Sequence, residues 1–67
     1  METIQIYIGE ENVEYKLFIN HAGKYCIRVF DLDAEEGVFS IQYPNEEMAQ
    51  IKFQELIQKD KILKTNS

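Results

Sequence analysis

Apolar and polar residues alternate with a period of two through most of residues 1–43, which is typical of half-buried β-strands. Each alternating run is bounded by Gly, Asn, Ala or acidic residues, which favour turns. The predicted strands cover residues 3–8, 13–19, 24–32 and 38–43. Because the connections between them are short, we expect the strands to pair antiparallel in chain order.

The alternation also predicts which face of the sheet each side chain occupies. In the first strand Ile4, Ile6 and Ile8 are expected on one face, with Gln5 and Tyr7 on the other. We expect the face rich in isoleucine and valine to meet the rest of the core. The opposite face, called the outer face below, is predicted to carry Tyr7, Phe18, Cys26 and Phe30 among Gln5, Lys16, Arg28, Ser40 and Gln42.

The spacing of apolar residues changes after Pro44 and predicts a helix over residues 45–63. Asn45 is a favourable N-cap, and Glu46 and Glu47 place negative charge at the positive end of the helix dipole. At about 100° per residue, one arc of this helix is apolar and suits packing on a sheet. The arc consists of Ala49, Phe53, Leu56, Ile57 and Leu63.

A second apolar line on the helix, formed by Met48, Ile51 and Ile62, falls outside that arc. Two interpretations stay open. Met48 and Ile62 wrap the edge of the core while Ile51 is singly exposed, which is common on protein surfaces. Alternatively, the line contacts a second subunit or another partner.

These elements predict an α+β fold in which a four-stranded antiparallel meander packs one face against a single C-terminal helix, in the order ββββα. With 67 residues, we expect one small domain over residues 1–67. A single cysteine excludes an internal disulfide and favours a reducing, cytoplasmic setting. We expect no membrane span and no leader, because no run is long and apolar enough.

The net charge of −5 belongs to the predicted sheet. Residues 1–44 contain eight acids and three bases, whereas residues 45–67 contain four of each. In a meander the first and third turns lie at the same end, so the acids of these turns should form one acidic end. The acidic end consists of Glu10, Glu11, Asp31, Asp33, Glu35 and Glu36. It either provides solubility or attracts a basic surface.

The sequence favours neither catalysis nor a cofactor. His21, the single histidine, lies in a predicted turn without a nearby catalytic or ligating partner. Carboxylates alternate from Asp31 to Glu35 as in calcium loops, but Gly37 comes one residue late and Gln42 occupies the closing position of a calcium-binding glutamate. We therefore expect no enzyme, no metal, no cofactor and no small-molecule substrate.

The outer face suggests two further functions. Its aromatic residues could stack the bases of single-stranded nucleic acid, with Lys16 and Arg28 near the phosphates. The strand order with one C-terminal helix resembles that of single-strand-binding transcriptional coactivators, which are dimers, although this sheet lacks their many basic residues. Nucleic acid is thus an unfavourable partner, since phosphate neutralisation supplies most non-specific affinity. A homodimer is the other alternative, because it would shelter the first strand.

The leading hypothesis is a small acidic protein-interaction module that docks on a basic surface of a larger protein. If that surface normally binds nucleic acid, the module would act as an inhibitor or regulator, as phage-encoded viral proteins of this kind do. The predicted partner-binding residues are the six carboxylates of the acidic end together with Tyr7, Phe18 and Phe30.

Overall fold

The computed structural model describes the backbone of residues 1–66 and the side chains of residues 1–62. Its elements are β1 (Glu2–Ile8), β2 (Val13–Ile19), β3 (Tyr25–Asp31), β4 (Glu36–Tyr43) and α1 (Glu46–Asn66). The strands form one antiparallel sheet in the order β1-β2-β3-β4, and the helix packs on β2, β3 and β4. The predicted ββββα fold is confirmed.

The turn between β2 and β3 shows why the chain reverses where it does. The Asn20 side-chain oxygen accepts hydrogen bonds from the backbone amides of Ala22, at 2.9 Å, and Lys24, at 3.0 Å. Gly23 takes a φ of 78°, a conformation that glycine adopts without a steric penalty. His21 lies in this turn and is exposed, in agreement with the sequence prediction.

The core lies between the middle of the sheet and one face of α1. Leu17 and Ile27 are fully buried on β2 and β3, and they pair directly across the two strands. From the helix, Ala49, Phe53 and Ile57 are buried against them, which confirms these members of the predicted apolar arc. Leu56 is partly buried, and the side chain of Leu63 lies outside the described residues.

The predicted faces of β1 are wrong for most of that strand. Thr3 pairs with Phe18 but Gln5 pairs with Leu17, so a β-bulge makes Ile4 an extra residue. A one-residue shift sends every following side chain to the opposite face. Tyr7 therefore packs against the core on the helix side, whereas Ile6 and Ile8 are turned to the outer face. They are 50% and 49% exposed.

The helix is capped at its start and is tied to the sheet near its other end. At the start, the Asn45 side-chain oxygen accepts a hydrogen bond from the Met48 amide at 2.9 Å, which confirms the predicted N-cap. Toward the other end, Asp60 Oδ2 accepts hydrogen bonds from the Tyr7 hydroxyl at 3.1 Å and from the Glu10 amide at 3.4 Å. The helix thus runs from the end of β4 to the turn between β1 and β2.

Gly9 allows this second attachment. A Cβ at this position would lie 2.7 Å from Asp60 Oδ1, which is closer than side chains tolerate. Because Gly9 lacks a Cβ, the Asp60 carboxylate can approach the turn and accept the hydrogen bond from the Glu10 amide.

The helix leaves part of its own face and part of the sheet uncovered. Met48, Ile51 and Ile62 are 49%, 56% and 56% exposed, so Met48 and Ile62 do not wrap the core edge closely. On β4, Phe39 and Ile41 share the helix-facing side with Val29 and Ile27, yet they are 38% and 42% exposed. No described helix is long and apolar enough to cross a membrane.

Candidate functional site

The two acidic turns lie side by side at one end of the sheet. The Leu32 amide donates a hydrogen bond to the Asn12 carbonyl at 3.0 Å, and the Asn12 side-chain amide donates to Asp33 Oδ1 at 2.8 Å. These bonds join the β1-β2 turn to the β3-β4 turn. They bring together the carboxylates of the predicted acidic end, as the meander topology required.

The β3-β4 turn is held in a defined shape by Asp31. Its Oδ1 accepts hydrogen bonds from the backbone amides of Asp33 and Ala34, both at 3.0 Å, so this carboxylate is occupied within the turn. Glu35 has a φ of 56°, in the left-handed region that residues with a Cβ seldom adopt. β4 begins at Glu36, two residues before the predicted start.

The carboxylates of the acidic end differ in their exposure and partners. Asp31 is partly buried, whereas Glu10, Glu11, Asp33, Glu35 and Glu36 are exposed. Among the described side chains, no lysine or arginine forms an ion pair with Glu35 or Glu36. Asp60 adds a further carboxylate close by, because it accepts a hydrogen bond from the Glu10 amide.

Asp60 also interacts with two tyrosines that lie under the helix, Tyr7 and Tyr15. Tyr7 and Tyr15 are neighbours across β1 and β2, and their ring centroids are 5.8 Å apart. Burial raises the pKa of Tyr15 above its ordinary value of 10.0, and the Asp60 charge raises it further. This group of side chains stabilises the contact between helix and sheet.

The outer face carries two cation–aromatic pairs. Lys16 Nζ lies 5.5 Å from the centroid of the Phe18 ring, and Arg28 Cζ lies 5.3 Å from the centroid of Phe30. Arg28 also contacts Glu14, with Nη2 3.5 Å from Oε1. Phe18 and Phe30 therefore lie on the predicted face, but the predicted placement of Tyr7 there is wrong because of the bulge in β1.

Cys26 belongs to the outer face by register, since it pairs with Phe18 and Gln42, yet only 3% of it is exposed. The Asn20 side-chain amide lies 3.4 Å from its sulfur. Cys26 is therefore a small buried side chain of the sheet. No three His, Cys, Asp or Glu side chains in the described part of the chain are arranged to hold a metal ion.

We compared the chain with known proteins. No family model, curated protein or solved structure matches it. The fold and its surface are therefore the basis for any functional proposal.

Sequence reasoning missed one surface feature, the free edge of β4. Every residue from Glu36 to Gln42 is exposed, including the apolar Val38, Phe39 and Ile41. The sequence does show an uneven charge around this edge, because residues 29–51 contain six acids and no lysine, arginine or histidine. The chain outside this segment contains six acids and seven lysines and arginines, so the negative charge is concentrated around β4.

Proposed function

We propose that this protein is a non-enzymatic interaction module whose acidic end docks on a basic surface of a larger protein. The observation that carries the proposal is the pair of hydrogen bonds from Asn12 and Leu32 that joins the two acidic turns. Carboxylates that are scattered along the chain thereby form one negatively charged end.

Physical chemistry supports this use of the acidic end. A patch of one charge sign speeds encounter with a surface of the opposite sign and repels nucleic acid. The turn hydrogen bonds fix the backbone before a partner arrives, which lowers the conformational entropy lost on binding. If the partner surface normally binds nucleic acid, docking would block it. The module would then act as an inhibitor or regulator, as a phage-type protein does.

The nucleic-acid alternative has weaker support. Tyr7 does not belong to the outer face, and Lys16 and Arg28 already lie over the rings on which bases would stack. Glu14, paired with Arg28, adds negative charge in the same place. A labelled oligonucleotide should show no anisotropy change at low salt, where electrostatic binding is strongest. A salt-sensitive rise in anisotropy would favour this alternative instead.

The leading proposal can be tested with charge reversal. The tagged protein would be incubated with lysate of its native host, washed at low and moderate salt, and the retained proteins identified by mass spectrometry. The double variant Glu35→Lys and Glu36→Lys should lose basic partners retained by the parent. The effect should be larger at low salt, because ions screen exposed charges.

A matched control separates a local effect from a change in net charge. Glu2→Lys with Glu55→Lys alters the net charge equally, and both residues are exposed and lie outside the two acidic turns. The control should retain the basic partners. Equal retention of the partners by the parent and by the Glu35/Glu36 variant at both salt concentrations would refute docking through the acidic end.

A further inference from the structure

β4 has a free edge with a regular uncharged segment. It is the last strand of the sheet, and after an extra residue at Val38 it pairs with β3 residue by residue from Phe39 to Tyr43. These five residues contain no charge and no proline. An unprotected edge of this kind is a template for pairing with another strand.

The opposite edge of the sheet carries similar devices. β1 has a bulge at Ile4 and begins with Glu2, and β4 has an extra residue at Val38 and begins with Glu36. The two edges differ in the charge around them. Residues 29–51, which include β4, contain six acids and no lysine, arginine or histidine, whereas Lys16 pairs with Ile6 of β1. This concentration of negative charge points to β4 as the edge that suits a basic partner.

The side chains of β4 are suited to such pairing. Phe39 and Ile41 point to the helix side and are 38% and 42% exposed, so about half of each is already packed. Ser40 and Gln42 alternate with them on the outer face. A strand added beside β4 could cover the apolar pair with alternate side chains while its backbone bonds to the edge.

The charges on either side of the uncharged segment indicate what kind of partner strand would bind there. Glu35 and Glu36 precede the uncharged segment, Glu46 and Glu47 follow it in the first turn of α1, and all four are exposed. The negative charge at both ends attracts a segment that is basic at both ends. Since the two ends are alike, this complementarity holds for a parallel or an antiparallel partner.

We propose that β4 binds an extended segment of a partner protein as a fifth strand. This segment has a run of about five residues, alternately apolar and polar, between basic residues. This inference rests on the proposed docking to a basic protein and specifies the form of the partner. Backbone pairing supplies affinity, and the flanking charges supply selectivity and a faster encounter.

A second copy of the chain is a poorer occupant. Antiparallel pairing of two β4 strands about Ile41 would bring Glu36 at the start of one strand toward Glu46, in the first turn of α1, of the other copy. Like charges brought together at both ends would repel each other. The charge pattern therefore favours a basic segment over self-association.

A synthetic peptide, Lys-Lys-Val-Thr-Val-Thr-Val-Lys-Lys, provides the test. A version that is N-methylated at alternate central residues keeps the side chains and the charge but cannot donate backbone hydrogen bonds from those positions. Fluorescence anisotropy would measure the affinity of both labelled peptides for the full chain at low salt. We expect the N-methylated peptide to bind at least tenfold more weakly. Backbone amide shifts should concentrate at residues 38–43.

Two protein variants provide a matched comparison. Ile41→Lys places a charge on the β4 edge, and Ile6→Lys places the same charge on the β1 edge at an isoleucine of similar exposure, 50% against 42%. Circular dichroism would verify that both variants fold. Peptide affinity should fall at least tenfold for Ile41→Lys and stay within twofold of the parent for Ile6→Lys.

The outcomes separate this inference from the proposed function. Equal, salt-sensitive binding of both peptides would support docking by charge and overturn edge pairing. Binding of neither peptide would count against both ideas. A dimer that is seen by light scattering and abolished by Ile41→Lys would show that a second copy occupies the edge, and would also overturn the inference. The peptide comparison decides the matter even if Ile41→Lys fails to fold.

Discussion

Asp60 joins the helix to the β1-β2 turn, and its removal should weaken the whole fold. Its carboxylate accepts hydrogen bonds from the Tyr7 hydroxyl at 3.1 Å and the Glu10 amide at 3.4 Å. A hydrogen bond to a charged group contributes about 1.5–3 kcal/mol. Because Asp60 is only partly buried and the second bond is long, we expect Asp60→Ala to lower the free energy of unfolding by about 2 kcal/mol.

That loss is large for so short a chain. At about 0.05–0.15 kcal/mol per residue, a protein of this size has only about 3–10 kcal/mol of total stability. The melting temperature should therefore fall by about 10 °C, since each kcal/mol shifts it by about 4–8 °C in small domains. Urea and thermal unfolding, followed by circular dichroism, would measure both quantities. Gln58→Ala, on the exposed side of α1, is the control and should change stability little.

A double-mutant cycle tests the specific contact with Tyr7. Tyr7→Phe removes the hydroxyl, Asp60→Ala removes the acceptor, and the double variant removes both. If the hydrogen bond stabilises the fold as described, the double variant should lose about 1 kcal/mol less stability than the sum of the losses in the two single variants. Additive losses within about 0.3 kcal/mol would refute the reasoning, because they would mean that the two side chains do not stabilise each other.

Two further predictions concern pH and the helix start. Burial and Asp60 raise the pKa of Tyr15 in the folded state, so the native protein holds this proton more tightly than the unfolded chain. The associated stability is fully present below the unfolded pKa of about 10 and is lost as the pH rises through the folded value. Urea unfolding between pH 8 and 12 should show this loss in the parent and less of it in Tyr15→Phe, and identical profiles would contradict the assignment. Asn45→Ala should lower the free energy of unfolding by about 1 kcal/mol, measured by thermal unfolding, because the N-cap hydrogen bond is lost. Asn45→Asp should change it little, since aspartate is also a good N-cap, and equal losses for the two variants would contradict the capping role.

The free edge of β4 links the fold to the proposed interactions. The helix covers the middle of the sheet but leaves Phe39 and Ile41 about half covered, while the acidic turn at the start of β4 stays exposed. A partner that engages the acidic end is therefore within reach of the edge. The reversal of Glu35 and Glu36 tests charge, and Ile41→Lys tests pairing, so the two contributions can be measured separately.

Much of the architecture was predictable because it depends on local patterns. The alternation predicted that a face rich in isoleucine and valine meets the core, and Leu17, Ile27 and Val29 are buried there. The helical spacing identified Phe53 and Ile57. The closeness of the two acidic turns was also predictable, because the first and third turns of a meander lie at the same end. In each case nearby residues carry enough information to specify the outcome.

The sequence by itself thus determined the elements, their order and the acidic end. Only the tertiary structure decided the faces of β1, where the bulge at Ile4 turns Tyr7 toward Asp60 and Ile6 toward the outer face. It also decided that the helix leaves the edge of β4 exposed. The physical reason is that a bulge and a helix's line of contact depend on how distant segments pack together. The alternation of residues within one strand does not record that packing.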